Sequence, residues 1–147
     1  MSTEANKALV RRFYDQVWSR GNLEAADEIF AADYARHDLR PGAAPAGPAG
    51  QKAIAGLFRA AFPDLRMAVD LLLAEGDLVA ARWTMEGTNL GAWAGTPATG
   101  KRVRLCGVNI FRILGGKVVE LWNHRDDLGM REQLGTPIYA GYPADAD

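Results

Sequence analysis

Apolar residues return along this chain with two different periods. In the first sixty positions the spacing is helical. Leu9, Val10, Phe13, Val17 and Trp18 fall on one stripe, which predicts a helix capped by Thr3 and ended near Arg20 by Gly21. Asn22 can cap a second, short helix with Leu23, Ala26, Ile29 and Phe30 on one side. Residues 33–39 read as a short strand or extended segment, and residues 41–50, PGAAPAGPAG, as a loop and candidate lid. A third helix is expected over about residues 51–61, stopped by Pro63. From Leu65 the pattern changes to strands. LRMAVDLLLA and LVAARWTMEG flank Glu75-Gly76-Asp77, and RVRLCGVNIFRIL and KVVELWNHRD flank Gly115-Gly116, so each pair reads as a hairpin. A second Gly-rich loop, residues 89–100, separates the hairpins and carries Trp93. The last twenty residues read as a loop or short helix and a tail. Helices followed by a run of antiparallel strands is the α+β pattern. A curved sheet wrapped against about three N-terminal helices makes a cone with one open mouth, a favoured place for a ligand.

Composition narrows the class. A chain of 147 residues fits one domain, 1–147, with a real core. A net charge of −1, with the basic residues scattered, gives no reason to expect a nucleic-acid or membrane partner. The single cysteine, Cys106, excludes an internal disulfide and reads as a packed thiol. The N-terminus lacks the features of a signal peptide, and no window approaches the apolar length of a membrane span. A cytoplasmic location is the expectation.

The chemistry concentrates near the end of the last strand. Trp122, His124 and Asp126 are spaced two apart, and alternate residues of a strand share a face. An indole, an imidazole and a carboxylate are therefore expected to project together beside an apolar interior, where a carboxyl tends to keep its proton near neutral pH. The plainer alternative is that Asp126 and Asp127 end the strand and cap the next turn.

Four stretches, LVRRFYDQVWSRGNLEAADEIFAADYARHD, AFPDL, EGDLVAARWTMEGTNLGAWAGTPATGKRV and FRILGGKVVELWNHRDDLGMREQLG, together resemble the SnoaL-like polyketide cyclase family of the NTF2-like superfamily. They cover most of the chain in the family's order. The resemblance implies an α+β cone, often a homo-oligomer (dimer or tetramer) built through the outer face of the sheet. It implies an intramolecular aldol condensation that closes a ring of an aromatic polyketide ligand, with no metal or organic cofactor. The catalytic residue it implies is Asp126, three before Gly129 in DDLG. The chain departs from the anthracycline cyclases at Arg112, where they carry a His, and their pocket Trp aligns nearer His124 than Trp122. A second branch of the family adds a hydroxyl group to an anthracycline-type ring, with a reductase partner. A non-catalytic ligand-binding module is the third reading, favoured by an exposed Asp126 and a filled cone.

Other side chains are candidates around this centre. His124 can orient substrate or act as a second acid or base, or bond a backbone carbonyl at the pocket wall. His37 can face the cavity or sit in solvent. With His124 and Asp126 it makes the two-His, one-carboxylate set of a facial triad, but the spacing alone specifies no geometry, and no metal is expected. Trp122, Trp18 and Trp93 suit stacking on a flat ligand or plain packing. Trp93 lies between glycines and reads as part of a lid. Arg82 can anchor an anionic oxygen or lie on the solvated face. Asn109 shares strand parity with Leu105, Phe111 and Ile113, and so is expected as a cavity amide or a sheet hydrogen bond. Glu120 reads as structural.

Overall fold

Ser2 rather than Thr3 opens the first helix in the computed structural model, which describes residues 2–37 and 47–135. The Ser2 hydroxyl accepts a hydrogen bond from the Ala5 N–H at 3.1 Å and satisfies one orphan donor of the first turn. Helix α1, Thr3–Arg12, then widens into a π-helical stretch, Phe13–Ser19. The wider turn places Phe13, Tyr14, Val17 and Trp18 all in the core. It closes with the Arg20 N–H on the Asp15 carbonyl, 3.0 Å, a five-residue step. A 3₁₀ turn, Leu23–Ala25, leads into α2, Ala26–Ile29, and then β1, Phe30–His37. Helix α3, Gly47–Ala61, begins earlier than its periodicity suggests and takes in the end of the Pro/Gly segment. The rest of that segment, residues 38–46, lies outside the described residues, and with it most of the expected lid.

Strands β2, Arg66–Glu75, β3, Leu78–Thr88, β4, Arg102–Leu114, and β5, Lys117–Arg125, are followed by α4, Asp127–Leu134. The sheet order is β1-β5-β4-β3-β2. β2 to β5 pair antiparallel, as the hairpins require, while β1 adds to β5 in parallel and makes the sheet mixed at that edge. The β4–β5 turn uses Gly115 and Gly116 at φ 58° and 76°, left-handed values that suit a two-residue hairpin and favour glycine.

One face of the sheet is wrapped by the helices. Val79, Ala81, Trp83 and Met85 of β3 and Leu105, Phe111 and Ile113 of β4 are buried there. Phe13 packs edge-on against Phe30 (5.1 Å), Phe111 (5.8 Å) and Trp18 (6.4 Å) and tilts against Tyr14 (5.0 Å), tying α1 to β1 and β4. Burying a side chain of this size stabilises the fold by about 1.5–3 kcal/mol. The α+β cone is thus the observed architecture. Among the described residues, no helix is long and apolar enough to cross a membrane.

Candidate functional site

Two β-bulges decide which side chains enter the cone. Between β4 and β5 the register passes from Ile113 opposite Val118 to Arg112 opposite Glu120, so Val119 is an extra residue. A bulge reverses the strand's alternation. Val118 faces the core, but beyond the bulge Leu121 and Asn123 do so, and Arg125 continues that face. Trp122 and His124 turn outward. The shared face expected for Trp122, His124 and Asp126 beside the interior is therefore corrected: the indole and imidazole lie on the opposite side of the sheet. A similar shift between Val69 and Leu71 turns Leu71 and Leu73 outward on β2.

Outside the cone, Trp122 stacks on His37 with centroids 5.0 Å apart and 18° between planes, and the Arg112 guanidinium lies 5.8 Å from its ring. His37 Nε2 is 3.0 Å from Glu120 Oε2, and Arg112 Nε donates to Glu120 Oε1 at 3.0 Å. His37 first and Arg112 second hold the Glu120 carboxyl below its ordinary value. Arg112 also grips both oxygens of Asp77 at 2.9 and 2.8 Å. Arg82, proposed to anchor an anion, instead donates to Asp70 Oδ2 at 2.6 Å on this outer face. His37, Trp122, His124 and Arg82 thus stand away from the cavity. Among the described residues there is no group of three or more His, Cys, Asp and Glu able to hold a metal ion.

The cavity lies on the inner face of the sheet. Trp18, Phe58 and Trp83 supply aromatic wall, and Arg36, Asn109 and Arg125 the polar groups. Among the described residues, no carboxylate is part of that wall. Asn109 is buried and sits in a chain of hydrogen bonds. Asn123 Nδ2 donates to Asn109 Oδ1 at 2.6 Å, and Asn109 Nδ2 donates to Tyr14 Oη at 2.9 Å. Burial drives the Tyr14 phenol far above its usual range, more than offsetting Asn109 and Arg36, so it remains a neutral hydroxyl. The indole N–H groups of Trp18 and Trp83 are buried with no acceptor among the described residues.

At the end of β5, Arg125 joins the cavity to its rim. Its Nε donates to Asp127 Oδ1 at 2.6 Å, and its guanidinium lies 4.9 Å from the Phe58 ring centroid and 5.8 Å from that of Trp93. Trp93 tilts against Phe58 at 4.4 Å and Phe62 at 5.9 Å, so its ring covers two groups of the wall neighbourhood. Its loop is fastened to α3, because Leu90 N–H and Gly91 N–H both donate to the Ala61 carbonyl at 3.0 and 3.1 Å. A Cβ on Gly91 would fall 2.2 Å from the Ala60 carbonyl oxygen, so only glycine allows this approach.

Asp126 is exposed and caps α4. Its Oδ1 accepts from the Gly129 N–H at 2.9 Å, and its own N–H donates to the Cys106 carbonyl at 2.9 Å. Gly129 leaves room for that carboxylate, since a Cβ there would lie 2.2 Å from Asp126 Oδ2. The DDLG spacing thus has a structural reason. The capping alternative for Asp126 describes what its carboxylate does in this structure.

Of the candidates, Trp18 and Asn109 line the cavity, Trp93 overlies its wall, and Asp126 stands at the end of the strand that carries Arg125. Sequence reasoning missed Arg36, Trp83, Asn123, Arg125 and Asp127. Trp83 was legible, because it shares parity with Val79 and Ala81. Arg125 and Asn123 were hidden by the bulge at Val119, which leaves no mark in the residue pattern.

A family model described as SnoaL-like polyketide cyclase matches residues 8–134. Aklanonic acid methyl ester cyclase DnrD of Streptomyces peucetius is 30% identical over 143 residues, covering 93% of this chain and 94% of that protein. Among solved structures, TsrD from Streptomyces laurentii is 28% identical with a TM-score of 0.84, over 93% of this chain and 99% of the other. AclR from Streptomyces galilaeus, a candidate hydroxylase, is 29% identical with a TM-score of 0.81, over 91% and 98%. The chain belongs to the SnoaL-like polyketide cyclase family.

Proposed function

We propose that this protein closes a ring of an aromatic polyketide by intramolecular aldol condensation, without metal or organic cofactor. The observation that carries the reading is the cavity: aromatic walls that suit a flat ligand, with Asn109 and Arg125 set among them. The chemistry needs a proton removed from a carbon next to a carbonyl, a carbon–carbon bond formed to a second carbonyl, and a proton returned to the new alkoxide. The family resemblance assigns the proton transfer to Asp126, which is exposed outside the cavity wall at the end of β5. The reading therefore requires the reacting part of the substrate to extend out of the cavity to it. If it does not, a non-catalytic binding module is the reading that the exposed carboxylate favours. One Asp126 oxygen is held by the α4 N-terminus, and Oδ2 has no hydrogen bond among the described residues. Arg125 and Asn109 donate to the enolate and alkoxide oxygens, as preorganised donors do for developing negative charge. Asp127 holds Arg125 in place.

The protein works in the cytoplasm as a homo-oligomer, with the outer face of the sheet as its interface. Val108, Leu71 and Leu73 are exposed on that face. A second reading, supported by the likeness to AclR, is a hydroxylase component acting with a reductase partner.

The test is incubation with linear anthraquinone polyketide acids and their esters, with and without oxygen and a reductant, read by mass spectrometry. Ring closure changes no mass, or loses water if dehydration follows, and needs no oxygen. Gain of one oxygen atom, only in air with reductant, would transfer the protein to the hydroxylase reading.

A further inference from the structure

Trp18 and Trp83 stand in the cavity wall on separate elements, one in the π-helical stretch and the other on β3. They are 7% and 3% exposed, and neither indole N–H has an acceptor among the described residues. An indole nitrogen can only donate, and a buried one usually finds an acceptor, because an unpaired polar hydrogen costs free energy. The other polar groups of the wall differ in this respect. Asn109 is engaged with Asn123 and Tyr14, and Arg125 with Asp127. The wall also holds Ile54, Phe58, Met67, Met85 and Leu105, whose side chains offer no oxygen. A native site that leaves two buried donors unpaired is shaped for acceptors that arrive with a ligand. A hydrocarbon ring would leave both hydrogens unmet, whereas neutral oxygens on a ring system would supply what the fold does not.

We propose that Trp18 and Trp83 are specificity-determining donors, whose indole N–H groups bind ring carbonyl oxygens of a quinone-type polycyclic ligand. This rests on the cyclase reading for the kind of molecule that enters, and it assigns recognition to two groups that take no part in proton transfer. A quinone carries two carbonyl oxygens on opposite edges of one ring, so it can meet two donors that come from separate elements. An unsubstituted ring of the same outline offers the same stacking surface and neither acceptor. Selectivity between the two therefore reports the indole hydrogen bonds rather than stacking.

Titration calorimetry tests this with the whole protein and two probes, anthraquinone-2-sulfonate and anthracene-2-sulfonate. The probes share charge and outline and differ in the two ring carbonyls, so any attraction of the sulfonate to an arginine cancels. Neither probe can cyclise, and the result does not depend on turnover. The quinone is expected to bind at least about tenfold more tightly, a difference of about 1.4 kcal/mol. The chain has four tryptophans, so nuclear magnetic resonance of the isotope-labelled protein gives one indole N–H signal for each. The Trp18 and Trp83 signals should lie further downfield in the quinone complex than in the anthracene complex, and the signal of Trp122, on the outer face, should not differ. Trp18→Phe and Trp83→Phe keep an aromatic wall without the N–H, and each should lower the preference by about threefold or more. If neither variant folds by circular dichroism, the affinity ratio and the two signals in the unchanged protein decide the matter. Equal affinities, preference for the anthracene, no measurable binding of the quinone, or Trp18 and Trp83 signals that coincide in the two complexes would overturn the inference. Quinone preference without any ring closure would instead remove the cyclase reading and leave this one standing.

Discussion

At the scale of single residues, Asp126 caps α4 and, in the reaction proposed above, also carries the proton, and substitution separates the two. Asn is as good an N-cap as Asp, so Asp126→Asn should leave the melting temperature nearly unchanged while removing the proton carrier. Asp126→Ala loses the bond to the Gly129 N–H as well and should cost about 1 kcal/mol of stability, measured by urea unfolding. His124 is exposed on the outer face, and His124→Ala should leave turnover essentially unchanged. A large loss of rate in steady-state kinetics would show that this imidazole reaches the reaction after all. Asn109 and Trp18 were readable as interior positions from the company they keep in their elements. Arg36 and Arg125 were not, because charge in a strand usually marks a solvated face, and only the surrounding fold shows a guanidinium turned inward.

At the scale of elements, the β4–β5 hairpin sets the site through its irregularities. Val119 reverses the alternation of β5, and at the other end Gly107 lets β4 lie close to β5. A Cβ at Gly107 would meet the His124 carbonyl oxygen and Trp83 Cζ2, both at 2.6 Å, and both are fixed by the sheet and the core. Gly107→Ala should therefore destabilise by about 1–3 kcal/mol and shift the emission of Trp83, a change that calorimetry and fluorescence would detect. The hairpins themselves were legible from Gly76 and Gly115-Gly116, because tight turns require particular backbone angles. The bulge was not, because an extra residue needs no special side chain. The one-residue slip exchanged Trp122 for Asn123 and His124 for Arg125 as interior groups.

The join between α3 and β3 gives a further prediction. Asp64 accepts from the Thr88 N–H at 2.7 Å and hydroxyl at 2.8 Å, and these bonds hold its carboxyl below the ordinary value of 3.8. A depressed folded value means that the unfolded chain takes up the proton first. The stabilisation is therefore fully present above about pH 4–5 and is lost as pH falls through the folded value. Glu120 and Asp27 are depressed in the same direction, by His37 and by Lys52 respectively as their largest causes. Melting temperature should fall below about pH 4, and Asp64→Asn should flatten that acid limb. An unchanged limb in the variant would remove Asp64 from the explanation.

For the molecule as a whole, the two faces of the sheet have different uses. The inner face and the helices enclose the cavity, and the outer face presents apolar residues framed by ion pairs such as Arg82–Asp70 and Arg112–Glu120. Val108 is 40% exposed and Leu73 68% exposed there, in keeping with the oligomer proposed above. Val108→Asp together with Leu73→Asp should convert the oligomer to a monomer by light scattering, because a buried unpaired charge is costly. An unmodified protein that is already monomeric would contradict the proposal. The cone architecture was legible from the change of period near Leu65. The parallel edge strand β1 was less so, since its partner lies some ninety residues away.

The most direct test of the central claim is the rate of ring closure on a linear anthraquinone polyketide acid in the absence of oxygen and added cofactor, compared between the unchanged protein and Asp126→Asn. The account predicts an isomeric or dehydrated product from the unchanged protein, formed at least about a hundredfold faster than by the variant, in keeping with the loss of a general acid–base group. A variant that cyclises at full rate, or an unchanged protein that acts only in air with reductant, would contradict it.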